Sequence, residues 1–115
     1  MKKINIVRTS RDFDRIIRNN KPYKYKDYII YVEKTNEDIS RFGITVSKKI
    51  INAVGRNKIK RQIKNIIDQK NYQNGFNCII IVRRGILNKN YEEMNVDLIE
   101  CLSKINIIKG DNDEK

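Results

Sequence analysis

Apolar residues along this chain recur with two different periods, and the switch between them marks out the elements. Ile59, Ile63, Ile66 and Ile67 fall on one side of a helix, and Asn52 stands where an N-cap is needed, so a helix is predicted from there to about Gln69. Phe13, Ile16 and Ile17 form a shorter stripe. Thr9 and Ser10 precede it, and Thr9 with Asp12 makes a helix-start signal, giving a first helix from about Ser10 to Arg18. Asn19-Asn20-Lys21-Pro22 ends that helix, because the residue before proline is pushed out of the helical region. Tyr25 to Glu33 reads as a strand, with a short extra strand near Tyr23 before it. Thr35 to Asp38 reads as a turn and Arg41 to Ser47 as the returning strand. After a loop over Asn71 to Gly75, Phe76 to Arg83 is a strand with a nearly continuous apolar run, stopped at Gly85. A last helix begins near Asn90, with Glu92 and Glu93 favourable in its first turn. Its apolar face is Tyr91, Met94, Leu98, Cys101, Leu102 and Ile105, and Gly110 serves as its terminator.

This order of helix, strands, helix, strand and helix, without linker or repeat, predicts a compact α+β sandwich of sheet against helices. A chain of 115 residues has room for one domain and one modest core. The ordered part is expected over about residues 8–109, with the polar tail Asp111 to Lys115 too hydrophilic to pack.

Charge sharpens the picture. The formal net charge is +11, and between Asp38 and Asp68 no acidic residue occurs, while Arg41, Lys48, Lys49, Arg56, Lys58, Lys60, Arg61 and Lys64 crowd into that stretch. Such a field attracts polyanions or an anionic membrane. No apolar run approaches the roughly 20 residues a span requires, and no lipidation motif or amphipathic anchor stands at either end, so membrane is the weaker partner. The N-terminus has the charged start of a signal peptide without the apolar region that must follow, which points to the cytoplasm. Cys78 and Cys101 sit in apolar patterns, and with no histidine in the chain to complete a zinc site they are expected as free, buried thiols.

On the second helix Asn57, Arg61 and Lys64 fall opposite the isoleucine stripe, with Arg56 and Lys60 on its flank. A run of charge on a helix is commonly just a solvated face. Here the lack of any carboxylate at neighbouring turns favours phosphate binding, since a merely soluble helix intersperses both signs. Cations near a helix start also add to the positive end of its dipole, a cost that bound phosphate relieves. In the Tyr25 to Glu33 strand, Ile29, Tyr31 and Glu33 share one face and Tyr28, Ile30 and Val32 the other. One face must build core; the other could offer Tyr31 as a stacking platform for an unpaired base, although tyrosine is a good strand residue in any case. Phe13 is open to the same two readings.

Signals of protein-based catalysis are missing. There is no histidine base, no Gly-x-Ser-x-Gly, no Cys–His pair, no phosphate loop and no dinucleotide glycine pattern. Asp12 and Asp14 diverge on a helix, which does not suit the convergent carboxylates of a two-metal nuclease. The aromatic signature of an RNA-recognition motif and the Gly-x-x-Gly of a KH domain are also absent.

Phe42-Gly43-Ile44-Thr45-Val46-Ser47-Lys48-Lys49, then Asn52-Ala53-Val54, then Arg56-Asn57-Lys58-Ile59-Lys60-Arg61 resemble the signature of the protein subunit of bacterial ribonuclease P, centred on Arg-Asn-Arg followed by Ile-Lys-Arg. The resemblance runs from about Arg8 to Ile108. It implies an αβββαβα sandwich whose crossover through the basic helix is left-handed, where general rules for βαβ units favour the right hand. It implies that a catalytic RNA, with magnesium bound mainly by that RNA, removes the 5′ leader of precursor tRNA while the protein binds both RNAs. By position it assigns Arg56, Asn57, Lys58, Lys60, Arg61 and Lys64 to ribonuclease P RNA, and Phe13, Ile17, Ile29, Tyr31 and Lys48 to the leader. Two positions depart from the family. Lys58 replaces the usual second arginine and loses its bidentate fork, and Ile17 stands where the family often has an aromatic ring. The alternative of another class is a non-enzymatic ribosomal or ribosome-assembly RNA-binding protein.

Overall fold

The computed structural model describes residues 1–109. Gly110 and the predicted polar tail lie outside the described residues. Thr9 is extended, and its Oγ1 accepts the amide of Asp12 at 3.1 Å, which starts α1 (Ser10–Asn19). The side-chain amide of Asn20 donates to the Ile16 carbonyl and closes the helix's far end. The Tyr25 to Glu33 segment is not one strand. Lys26 takes a φ of 53° and turns the chain, so that β1 (Tyr23–Tyr25) pairs with β2 (Tyr28–Lys34) across a two-residue loop, with Tyr25 opposite Tyr28.

A second correction concerns β3 (Ser40–Val46), which does not return alongside β2. The sheet order is β1-β2-β4-β3, with β4 (Phe76–Val82) between them, antiparallel to β2 and parallel to β3. The reason is visible in composition. The nearly unbroken apolar run of β4 is buried on both faces at this central position, while β2 and β3 end in or carry polar residues on one face. The crossover from β3 to β4 is α2 (Ala53–Ile67), capped by Asn52, whose Oδ1 accepts the Gly55 amide at 2.9 Å. A 3-10 turn over Arg84–Asn88 leads to α3 (Tyr91–Lys104), where Asn90 and Glu93 cap each other reciprocally. This helix ends at Lys104, before Gly110, and Tyr91 at its start is exposed.

The sheet is covered unequally. Its inner face, with Tyr28, Ile30, Phe42, Val46, Phe76, Cys78, Ile80 and Val82, packs on the predicted isoleucine stripe of α2 and on Met94, Leu98, Cys101 and Leu102 of α3. The Tyr28 hydroxyl, deep in this layer, donates to the Met94 carbonyl. Among the described residues the outer face carries α1 and the segment before it, through a small cluster of Val7, Ile16 and Ile79. Residues before position 8 contribute here: Val7 is buried and its amide donates to the Phe42 carbonyl at 2.9 Å. Among the described residues no helix is long and apolar enough to cross a membrane.

Candidate nucleic-acid interface

The basic helix begins in a tightly turned connector. The Ile50 amide donates to the Ser47 carbonyl and the Lys49 amide to Ser47 Oγ, while the guanidinium of Arg84 reaches the Lys49 carbonyl at 3.1 Å. Ile51 folds back over the first turn of α2, so close that a Cβ at Gly55 would collide with it. Arg56 is half-buried, its Nη1 donating to the Ile51 carbonyl at 2.9 Å. It therefore ties down the connector as well as carrying charge. Asn57, Lys58 and Arg61 are exposed, and Lys60 and Lys64 are half-exposed. Among the described residues, ion pairs join the N-terminal ammonium to Asp68, Arg15 to Asp12 and Glu33, Arg41 to Glu37, and Lys89 to Asp27 and Asp97. The cations of α2 take part in none of them. The first turn of α2 holds no acidic residue, so an uncompensated positive face lies at the positive end of the helix dipole.

The outer face of the sheet presents three rows of side chains, set by strand register. Glu33, Asn77 and Arg41 form a polar row; Tyr31, Ile79 and Gly43 form the next; Ile29, Ile81 and Thr45 form the third, which Lys24 of β1 extends. Helix α1 stands over the middle row. Phe13 lies against the bare backbone of Gly43, where a Cβ would come 2.6 Å from its Cζ, and Ile16 is fully buried beside Ile79. Phe13, Ile17, Tyr31 and Ile81 are half-buried around that cluster. The third row, half-buried, runs beside the flank of α1. Ile29 belongs to this row, and Lys48, exposed two residues beyond the end of β3, lies outside the apolar cluster.

Sequence reasoning did not bring Gly43, Thr45 and Ile81 together with Tyr31 and Ile29 on the face under α1. Alternation within β4 shows that positions 77, 79 and 81 share a face. Which face that is depends on the neighbours of β4, and local pattern does not contain them. The polar row was missed for the same reason. Arg15 of α1 grips Glu33 of β2 with two hydrogen bonds of 2.9 Å, and Arg15 also pairs with Asp12. These bonds hold the Glu33 carboxyl below the usual range, Arg15 first and Asn77 assisting, and Arg15 lowers Asp12 in the same way. Among the described residues no three His, Cys, Asp or Glu side chains gather to hold a metal ion.

A family profile described as Ribonuclease P matches residues 1–106. The chain is 34% identical to a ribonuclease P protein component of Clostridium botulinum, across 91% of this chain and 97% of the relative. It is 36% identical to one from Lactococcus lactis, covering 98% of each. Among solved structures, an RNase P protein of Staphylococcus aureus superposes with a TM-score of 0.83 at 26% identity, over 91% of this chain and 98% of that one. An RNase P protein from Thermotoga maritima does so with a TM-score of 0.78 at 26% identity and the same coverage.

Proposed function

The chain belongs to the ribonuclease P protein family, the protein component of a tRNA-processing ribonucleoprotein, and from that premise we propose that it binds two RNAs at two separate surfaces. The exposed face of α2, with Asn57, Lys58, Lys60, Arg61 and Lys64 and the flanking Arg56, contacts the phosphates of ribonuclease P RNA. The cleft between α1 and the third row of the sheet takes the single-stranded 5′ leader of precursor tRNA, with Phe13 and Tyr31 against bases, Ile17 and Ile29 lining the cleft, and Lys48 on the backbone. The observation that carries this reading is the pairing, across one short connector, of a basic helix face that makes no ion pair among the described residues with half-buried aromatic and aliphatic side chains around α1.

The chemistry follows from what each surface supplies. Cations on α2 release counterions from the catalytic RNA on binding, which makes affinity depend steeply on salt. With its charge neutralised there, a second RNA can approach without full phosphate repulsion. The cleft adds contacts that only a substrate with a leader can make, so it favours precursor over mature tRNA. Magnesium held by the RNA supplies Lewis-acid stabilisation of the phosphodiester being cut; this chain binds, orients and screens. The setting is the cytoplasm.

Reconstitution tests the reading. The protein, added to a bacterial ribonuclease P RNA, should restore 5′ cleavage of precursor tRNA at low magnesium. A base stacked on an aromatic ring is worth about 1–3 kcal/mol, so Tyr31→Ala should weaken precursor binding roughly five- to a hundred-fold. Mature tRNA, which has no leader, should bind within about twofold of wild type. Equal weakening of both RNAs, or of neither by a folded variant, would return Tyr31 to the role of ordinary sheet residue.

A further inference from the structure

Among the described residues, α1 is joined to the sheet by one polar contact only, the pair of hydrogen bonds from Arg15 Nε and Nη2 to the two carboxylate oxygens of Glu33, both 2.9 Å. The rest of what holds this ten-residue helix to the sheet is apolar: Phe13 and Ile16 sit on Gly43 and Ile79, with Val7, Ile17, Tyr31 and Ile81 packed around them, and Ile16 is the helix's single fully buried residue. That apolar contact is a pivot. On one side of it lies the polar row; on the other lie Ile29 and Ile81, both half-buried, which a helix free to roll would cover further.

Glu33 is itself held from the far side. Asn77 of β4, 6% exposed, donates its side-chain amide to Glu33 Oε1 at 2.9 Å. A carboxylate only accepts, so the orientation of that amide is settled, and among the described residues it leaves Asn77 Oδ1 buried without a partner. An unmade buried bond is costly, and an apolar pair at positions 33 and 77 would avoid it. The arrangement costs stability and gains a fixed geometry.

We propose that Glu33 is a positioning residue for the leader cleft: by clamping Arg15 on one side of the pivot, it sets the angle of α1 over the sheet and keeps the row of Ile29, Ile81 and Thr45 open to single-stranded RNA. This rests on the reading of that cleft as the leader site. Glu33 touches no RNA in this role. Its effect passes through the helix that carries Phe13 and Ile17.

The test uses Glu33→Leu, Glu33→Gln and Arg15→Leu in the reconstituted ribonucleoprotein, with spin labels on cysteines placed at the exposed positions Arg18 and Lys24 to report the distance from α1 to the sheet edge. Residues in one hydrogen-bonded set couple strongly, so each leucine variant should lose about fivefold or more in precursor affinity, and the double variant should be no worse than either single one. Glu33→Gln, whose single amide oxygen can still accept from Asn77 and Arg15 Nη2 but not from Arg15 Nε, should retain part of the affinity. Mature tRNA binding should stay within about twofold, and the label distance should shift or broaden. A folded Glu33→Leu with an unchanged distance and unchanged precursor affinity overturns the proposal, as does simple additivity in the double variant. Tyr31→Ala separates the two ideas. If it weakens precursor binding while Glu33→Leu does not, the clamp falls and the cleft stands; if neither does, the cleft reading falls and the clamp with it.

Discussion

Gly43→Ala adds one methyl group at the place where α1 rests on the sheet. The new Cβ would lie 2.6 Å from Phe13 Cζ, 3.0 Å from Phe13 Cε1 and 2.8 Å from Ile79 Cδ1. Carbon atoms in good contact stand about 3.5–4.0 Å apart. The end of the Ile79 side chain can rotate away, but the Phe13 ring is rigid and must lift by about 1 Å. Overpacking of this kind costs about 1–3 kcal/mol, and replacing a strand glycine by alanine gives back about 0.5–1 kcal/mol. The net loss is about 0.5–2 kcal/mol, which lowers the midpoint of thermal unfolding by several degrees, at about 4–8 °C per kcal/mol for a domain of this size. A double-mutant cycle isolates the cause. With Phe13→Ala already present the ring is gone, so adding Gly43→Ala should cost almost nothing or stabilise the protein. Denaturant unfolding of the four proteins measures the coupling, expected at about 1–2 kcal/mol. Additivity within about 0.5 kcal/mol would mean that Phe13 does not rest on Gly43, and the cleft would have to be rebuilt without its pivot.

Lys58→Ala combined with Arg61→Ala should leave the fold intact and reduce the slope of log affinity for ribonuclease P RNA against log salt by about one unit per residue removed, measured by titration across salt concentrations; an unchanged slope would take α2 out of the interface. Both sites are exposed, which makes this pair cleaner than one that includes the half-buried Arg56. Burial pushes up both thiols, Cys101 to about 11 and Cys78 further, so neither should react readily with thiol reagents at neutral pH until the protein is unfolded in denaturant; rapid native labelling of both would contradict their packing. The lowered carboxyl of Glu33, held chiefly by Arg15, binds its proton less readily in the folded than in the unfolded state. Its stabilisation is in place above the ordinary glutamate value of about 4.3 and is lost as pH falls through the folded value, so Glu33→Gln should flatten the acid limb of a stability-versus-pH curve while changing little in its shape above pH 6.

What the chain alone determined is what local periodicity can carry. The stripe of Ile59, Ile63, Ile66 and Ile67 is the buried face of α2, and Thr9, Asn52 and Asn90 cap the three helices, because a helix stripe and a cap are properties of residues within one or two turns of each other. The surplus of cations over that same stretch is equally local, and so was legible. Tertiary structure decided what depends on residues far apart in the chain. The apolar run of β4 suits a central strand, but it does not name the neighbours, since strand pairing is made by backbone groups that every residue carries. Once β4 takes the centre, Gly43, Ile79 and Tyr31 fall into one row and Thr45, Ile81 and Ile29 into the next, on the face that carries α1. Arg56 reads as one more exposed cation until the fold brings the Ile51 carbonyl within 2.9 Å of it. Arg15 and Glu33, 18 positions apart, meet because α1 crosses a strand whose outer face could be identified only after its neighbours were in place.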